Sequence, residues 1–198
     1  PTHTMPRPIQ AIIHTHALSH NLQRCRRAAG DTKVWAVVKA NAYGHGIERV
    51  YESLRAADGF AMLDLAEAQR VRELGWRGPI LLLEGVFEPR DLELCSRLQL
   101  WHSVHHEAQI DMLASHKTLQ PHKVFLKINT GMNRLGFAPQ SARSVWTRLQ
   151  ALPQVDEVAL MTHFAPADVA QPHLHAAWQL FTQCTADLPS PRRVSTNA

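Results

Sequence analysis

Short apolar runs bounded by turn residues recur along the chain, and between them apolar positions repeat every three or four residues. The runs fall at Trp35–Val38, Gly59–Leu63, Ile80–Leu83, Leu100–Val104, Val124–Ile128, Val158–Thr162 and, faintly, Arg193–Thr196. Short, continuously apolar runs suit strands buried on both faces in a parallel sheet. Helical spacing is clearest over Leu65–Leu74, where Leu65, Ala68, Val71 and Leu74 share a face and Gly75 and Gly78-Pro79 provide the stop. Further helices are predicted over Pro89–Leu98, Glu107–Leu113, Ser141–Leu152 and His173–Leu188, and Tyr51 falls within another helical pattern, as a packing residue.

Strands alternating with helices, without an internal repeat or low-complexity linker, predict an α/β fold of the (β/α)8 TIM-barrel type. An open doubly wound sheet competes, but no GxGxxG follows the first strand. Eight βα units usually take about 250 residues. With 198 residues and about seven visible strands, residues 1–198 read as one barrel domain that is incomplete at its C-terminus.

Composition narrows the class. A hydrophobic content of 45% is enough for one substantial core. The net charge of +4 is carried by scattered basic residues rather than blocks, which argues against a nucleic-acid footprint. Cys25, Cys95 and Cys184 are too widely spaced for a zinc knuckle or a CxxC motif and read as reduced thiols. No apolar stretch is long enough to span a membrane, and Pro1–Pro8 shows no signal-peptide core. A soluble, cytoplasmic protein with no membrane partner is the expectation.

Candidate chemistry gathers where barrel enzymes place it, at the C-terminal ends of strands. The first strand delivers Lys39, followed by Tyr43, Gly44 and Gly46. An amine at the mouth of such a fold, partly out of water, is a usable nucleophile toward a carbonyl. The tyrosine is close enough to bond a ligand phosphate, and the glycines allow a sharp turn beside it. Taken whole, Ala36-Val37-Val38-Lys39-Ala40-Asn41-Ala42-Tyr43-Gly44-His45-Gly46 closely resembles the pyridoxal-phosphate attachment motif of the alanine racemase family. The resemblance implies that Lys39 holds pyridoxal 5'-phosphate as a Schiff base and that Tyr43 touches its phosphate. His45 shapes the loop.

Two further strand ends carry the same resemblance. Lys127 to Phe137 (KINTGMNRLGF) looks like the family's KxDTGMxRLGF motif, with Asn129 where many members have aspartate. Arg134 offers a rigid fork for a phenolate, carboxylate or phosphate. The resemblance gives Arg134 a catalytic and substrate-binding role, places Met132 at the substrate, and makes Lys127 a possible carbamylated lysine that orients Arg134. Met161 to Asp168 (MTHFAPAD) is similar to MSHFAxAD, which puts His163 beside the pyridoxal ring without acid–base duty. A lone histidine is poor evidence for metal. The groups His14/His16/His20, His102/His105/His106 and His173/His175 lack supporting carboxylate patterns, so no metal is expected. The five tryptophans read as core or helix-packing residues.

Weaker likenesses extend the match. Ile80 to Leu94 resembles an LEGxFxxxDL stretch, and Val194 to Ala198 a degraded SLxNSA, in which Asn197 aligns as a cofactor-binding residue and Ala198 replaces a phosphate-binding serine. The family also carries a C-terminal β-domain that this sequence lacks. Inversion at an α-carbon is most simply done by two bases, one on each face. The resemblance implies that Lys39 is one, and that the other is a tyrosine from the C-terminal domain of a partner subunit in a homodimer. The expected reaction is interconversion of L- and D-alanine, for peptidoglycan or alanine breakdown, with these 198 residues inactive alone. A non-catalytic pyridoxal-phosphate barrel and a broad-specificity amino-acid racemase are the alternatives.

Overall fold

The computed structural model describes residues 8–164, 171–190 and 193–197, with side chains described over 8–164 and 173–190. A helix, α1 (Thr15–Ala29), precedes the first strand, β1 (Trp35–Val37). A short turn, α2 (Lys39–Tyr43), and α3 (Ile47–Leu54) lead to β2 (Gly59–Met62). Then come α4 (Leu65–Glu73), β3 (Ile80–Leu82), α5 (Pro89–Leu98), β4 (Trp101–Val104), α6 (Glu107–Ser115) and β5 (His122–Lys127). A 3-10 turn (Pro139–Ser141), α7 (Ala142–Gln150), β6 (Val155–Phe164), α8 (Gln171–Cys184) and β7 (Arg193–Asn197) complete the described chain.

The strands form one seven-stranded sheet in strict chain order, and every neighbouring pair is parallel. Its curl shows in the side chains. Trp35 on β1 and Phe125 on β5 are not on adjacent strands, yet their rings meet edge to face at 6.0 Å, and Trp101 on β4 lies 5.1 Å from Phe125. These aromatics, with Ala61, Leu81, Ala159 and Met161, fill the inside of the barrel. Trp35 also explains Gly59: a Cβ there would come within 2.5 Å of the indole.

The alternate strand positions face the helices. Phe60, Met62, Ile80, Leu82, Val104, Val124, Leu126, Val158 and Leu160 pack against Val50, Ala68, Val71, Leu92, Ile110, Leu113 and Leu149 in one buried layer. Helix boundaries follow local chemistry. Asp64 caps α4 by accepting from the Ala66 N–H at 2.7 Å, and Pro89 opens α5 at a position that needs no N–H. Tyr51 is buried and stacks on Phe60 at 5.9 Å, the packing role expected of it.

One element departs from the sequence reading, and two sets of side chains add detail to it. The helix α1 falls outside the anticipated elements: only Leu22 of it is buried, so it shows little of the apolar stripe that marked the others. Of the two roles open to the tryptophans, Trp178 takes helix packing: it is 46% exposed on α8 and touches Phe164 and Phe181. The histidines near position 105 also part company. His102 points into the helix-facing layer against His122, His105 bonds the Glu84 carbonyl at 2.8 Å, and His106 caps α6.

The His102–His122 pair is fixed by proton counting. Thr118 Oγ1 donates its single proton to the Gln120 carbonyl (2.8 Å), so it accepts from His122 Nε2 at 2.9 Å. His122 Nδ1 is therefore an acceptor, and His102 Nε2 donates to it at 3.2 Å. Burial pushes His102 down to about 3 and His122 down to about 4, so both are neutral rings.

Candidate active site

Where β1 ends, the backbone turns left-handed. Ala40, Asn41, Ala42 and Tyr43 all lie at φ between 52° and 55°, with ψ near 50° for the first three. The Ala42 N–H reaches the Val38 carbonyl and the Gly44 N–H the Ala40 carbonyl, each at 2.9 Å, completing a left-handed helical turn without an internal glycine. L-residues disfavour this state by roughly 1–2 kcal/mol each, so four of them represent on the order of 4–8 kcal/mol. Gly44 and Gly46, at φ 83° and 94°, release the chain into α3. The turn carries Lys39 at one end and Tyr43 at the other, with Lys39 Nζ 5.8 Å from the centre of the Tyr43 ring. His45 sits inside the loop, its Nδ1 on the Ala42 carbonyl at 2.8 Å.

The second segment leaves β5 and is pinched into a compact loop. Asn129 N–H reaches the Phe137 carbonyl and Phe137 N–H the Lys127 carbonyl, both at 2.9 Å. Inside, Asn129 Oδ1 accepts from the Gly131 and Asn133 N–H groups at 3.1 and 3.0 Å, while its Nδ2 donates to Asn133 Oδ1 at 3.1 Å. An aspartate could accept the same two backbone bonds, which accounts physically for either residue serving there. Gly136 closes the loop at φ 128°, where a Cβ would stand 2.7 Å from Asn129 N. The loop is tied to β6 by a buried hydroxyl chain. Thr162 Oγ1 donates to the Ile128 carbonyl at 3.0 Å, so Thr130 Oγ1 donates to Thr162 at 2.7 Å.

These elements converge on a pocket of about 100 Å³ at the C-terminal mouth of the barrel. Lys39, Tyr43, Lys127, Arg134 and His163 all line it, with Glu84 the one carboxylate among its lining residues. Val37, Leu63, Leu83 and Met161 supply apolar walls. Lys127 is only 4% exposed. Burial, with Arg134 and Lys39 nearby, lowers its pKa, and Glu84 opposes the shift. Burial first, then the same three cations, pushes His163 down to about 4, so its ring is neutral near pH 7. Tyr43 is 58% exposed at the rim.

Five expected site residues are thus brought together. Met132 is half-buried on the loop and does not line the pocket. Asn197 pairs through its backbone with Phe164 at the same rim, one position beyond the His163–Thr196 pair. Its side chain, Ala198, and the Ala165–Asp168 part of the histidine motif lie outside the described residues. Glu84 and the Thr130–Thr162 pair were not singled out from sequence. Glu84 ends the Ile80–Leu83 run as Lys39 ends the first, which is the signal that could have found it.

A larger cavity, about 370 Å³, lies at the opposite end of the barrel beside Arg72, Trp101 and His122. Its Arg72 guanidinium is engaged structurally, donating to the carbonyls of Leu98, Trp76, Gly78 and Gln99. The mouth pocket, with its uncommitted amines, is the candidate site.

The donor set there suits pyridoxal phosphate. An amine at the rim matches an aldehyde, apolar walls match a flat ring, and three cationic side chains match an anionic group. No group of three or more metal-ligating side chains occurs among the described residues. No helix among them is long and apolar enough to cross a membrane.

Comparison with known proteins agrees with this geometry. Residues 13–198 match the family model described as alanine racemase, N-terminal domain. The chain is 69% identical over 194 residues to an alanine racemase of Methylibium petroleiphilum, covering 98% of this chain and 53% of that protein. Among solved structures, the biosynthetic alanine racemase of Pseudomonas aeruginosa superposes with a TM-score of 0.86 at 38% identity, covering 92% of this chain and 51% of that one. A histidine racemase from Leuconostoc mesenteroides gives a TM-score of 0.78 at 27% identity, covering 94% of this chain and 54% of its own. The chain therefore spans about half the length of the relatives it matches.

Proposed function

The chain belongs to the alanine racemase family through its N-terminal domain, and on that premise we propose that it forms the cofactor-binding half of an enzyme interconverting L- and D-alanine. The observation that carries this reading is the convergence of Lys39, Tyr43, Lys127, Arg134 and His163 on one pocket at the barrel mouth.

Lys39 is the residue that would hold pyridoxal 5'-phosphate, with the exposed Tyr43 hydroxyl and the Asn197 end of β7 toward its phosphate. When bound, the cofactor supplies an electron sink that makes the α-proton of an amino acid removable. Lys39 then carries that proton on one face of the α-carbon. Its amine shares the pocket with Lys127 and Arg134. His163, neutral near pH 7, packs rather than exchanges protons. Arg134, at the pocket's edge, offers a planar fork that can orient a carboxylate or phenolate oxygen. The buried, depressed Lys127 amine suits modification to a carbamate that would hold that fork.

Inversion needs a proton carrier on the other face. Tyr43 is committed to the phosphate end, and Tyr51 is buried against Phe60. The family resemblance assigns the second base to a tyrosine in the C-terminal domain of a partner subunit of a homodimer, and on that reading the 198 residues alone do not racemise alanine. The product D-alanine would serve peptidoglycan, or the reverse direction alanine breakdown. A broader amino-acid range is the second reading, favoured by the fold likeness to a histidine racemase.

The test is borohydride reduction of these residues in the presence of pyridoxal 5'-phosphate, with peptide mapping, alongside a racemisation panel of alanine, serine and histidine on the full-length protein. A pyridoxyl adduct on Lys39 and preference for alanine are expected. An adduct elsewhere, or none, would overturn the assignment.

A further inference from the structure

The left-handed turn that carries Lys39 is gripped from behind by groups the reaction itself does not use. Glu67, in the first turn of α4, accepts from the Asn41 N–H through Oε1 at 2.5 Å. The Asn41 side-chain oxygen accepts from Ile47 N–H at 3.1 Å and from Arg70 at 2.9 Å. Arg70 is held in place by a two-pronged pair with Glu48 at 2.7 and 2.5 Å. The Gly46 N–H closes the loop on the Asn41 carbonyl at 2.9 Å. Thus α3 and α4 both hold the middle of a turn whose ends bear Lys39 and Tyr43.

Two observations point beyond ordinary surface bonding. Little that is local favours the left-handed state: of Ala40, Asn41, Ala42 and Tyr43 only the asparagine has any leaning toward it, and none is glycine. Glu67 also keeps its second oxygen, Oε2, buried without a hydrogen-bond partner among the described residues. A carboxylate oxygen out of reach of solvent and without a partner is a cost, and such atoms in folded proteins call for an explanation. Here the cost is offset by what the other oxygen does: it holds the Asn41 amide in a conformation the chain would not adopt alone.

We propose that Glu67, Asn41 and Arg70 form a clamp of positioning residues, which keeps the turn wound left-handed and so sets Lys39 and Tyr43 on the same pocket. The role assigned to Lys39 rests on the reading under Proposed function; the clamp itself does not. If the turn unwound to right-handed geometry, the Lys39 and Tyr43 side chains would leave their shared side of the mouth, and the amine would lose its fixed approach to a bound aldehyde.

Glycine provides the discriminating test, because it adopts positive φ without the steric cost. Ala40 lies at φ 52° and its methyl is exposed, so Ala40→Gly relieves the turn without opening the core. The purified protein and the variants Glu67→Ala, Arg70→Ala, Ala40→Gly and each double with Ala40→Gly are compared. Hydrogen exchange over residues 40–46 reads the clamp without cofactor. Affinity for pyridoxal 5'-phosphate and the rate of borohydride-trapped labelling at Lys39 read positioning, with thermal midpoints as control.

Glu67→Ala and Arg70→Ala should speed exchange across the turn and weaken cofactor binding about tenfold, and Ala40→Gly should restore both to within about threefold. Glu67→Gln keeps an acceptor for the Asn41 N–H and should stay within about threefold of the parent. Doubles as impaired as the singles, or single variants with unchanged exchange and labelling, would overturn the proposal. If the parent is never labelled at Lys39, the proposed function falls, and the exchange and glycine-rescue pattern alone decides the clamp. Should Glu67→Ala fail to fold, Arg70→Ala carries the same comparison.

Discussion

Replacing His102 with glutamine should flatten the acid dependence of folding by about one proton. In the native protein His102 and His122 are neutral rings locked in a single hydrogen-bond direction, with folded pKa values of about 3 and about 4 against an ordinary 6.5. Because the folded values are depressed, the unfolded chain binds more protons below pH 6.5, and stability must fall as pH falls. At pH 5 neither ring is protonated in the folded state, while both are almost fully protonated when unfolded. Each therefore subtracts about 2 kcal/mol relative to pH 8, or about 4 kcal/mol for the pair. The His102→Gln side chain can still donate an amide proton to His122 Nδ1 but cannot be protonated. Urea unfolding at pH 8, 6 and 5 should show the parent losing about 2 kcal/mol more than the variant between pH 8 and pH 5. Parallel curves, within about 0.5 kcal/mol, would mean that the rings are not buried as neutral partners and would refute the tautomer chain from Thr118 through His122 to His102.

Two other substitutions probe the candidate site's scaffold. Thr162→Val strands the Thr130 hydroxyl and the Ile128 carbonyl, which should cost about 1–3 kcal/mol in urea unfolding, whereas Thr162→Ser should stay close to the parent. Gly136→Ala, forced to φ 128° with its methyl against Asn129 N, should lower the thermal midpoint by several degrees. It should also loosen the Arg134 loop, seen as faster amide exchange at Asn129 and Asn133.

What sequence could and could not reveal follows from the range of each interaction. Strand ends are local signals, so Lys39, Lys127 and His163 could be placed at one mouth from the apolar runs that precede them. The chain order of the strands also followed, because each run is separated from the next by a helical pattern. The handedness of Ala40–Tyr43 could not, since alanine ordinarily favours the opposite turn. Glu67 and Arg70, contributed by a later helix, help to hold it. The Thr130–Thr162 bond joins residues on different units and leaves no spacing rule. Helix α1 went unnoticed because it hides little apolar surface. For Trp178 the sequence left core and helix packing open, because a large aromatic on a helix serves either, and only the fold decides between them.

The strict strand order bears on how the protein is made. Each strand pairs with the one synthesised just before it, so every βα unit can dock as it leaves the ribosome, with no partner to wait for. The candidate site does not share that economy. Lys39 emerges with the first unit, Lys127 with the fifth strand and His163 with the sixth. The reactive amine is thus translated long before the residues that surround it, and the pocket takes shape only as the growing sheet curls back toward its own beginning.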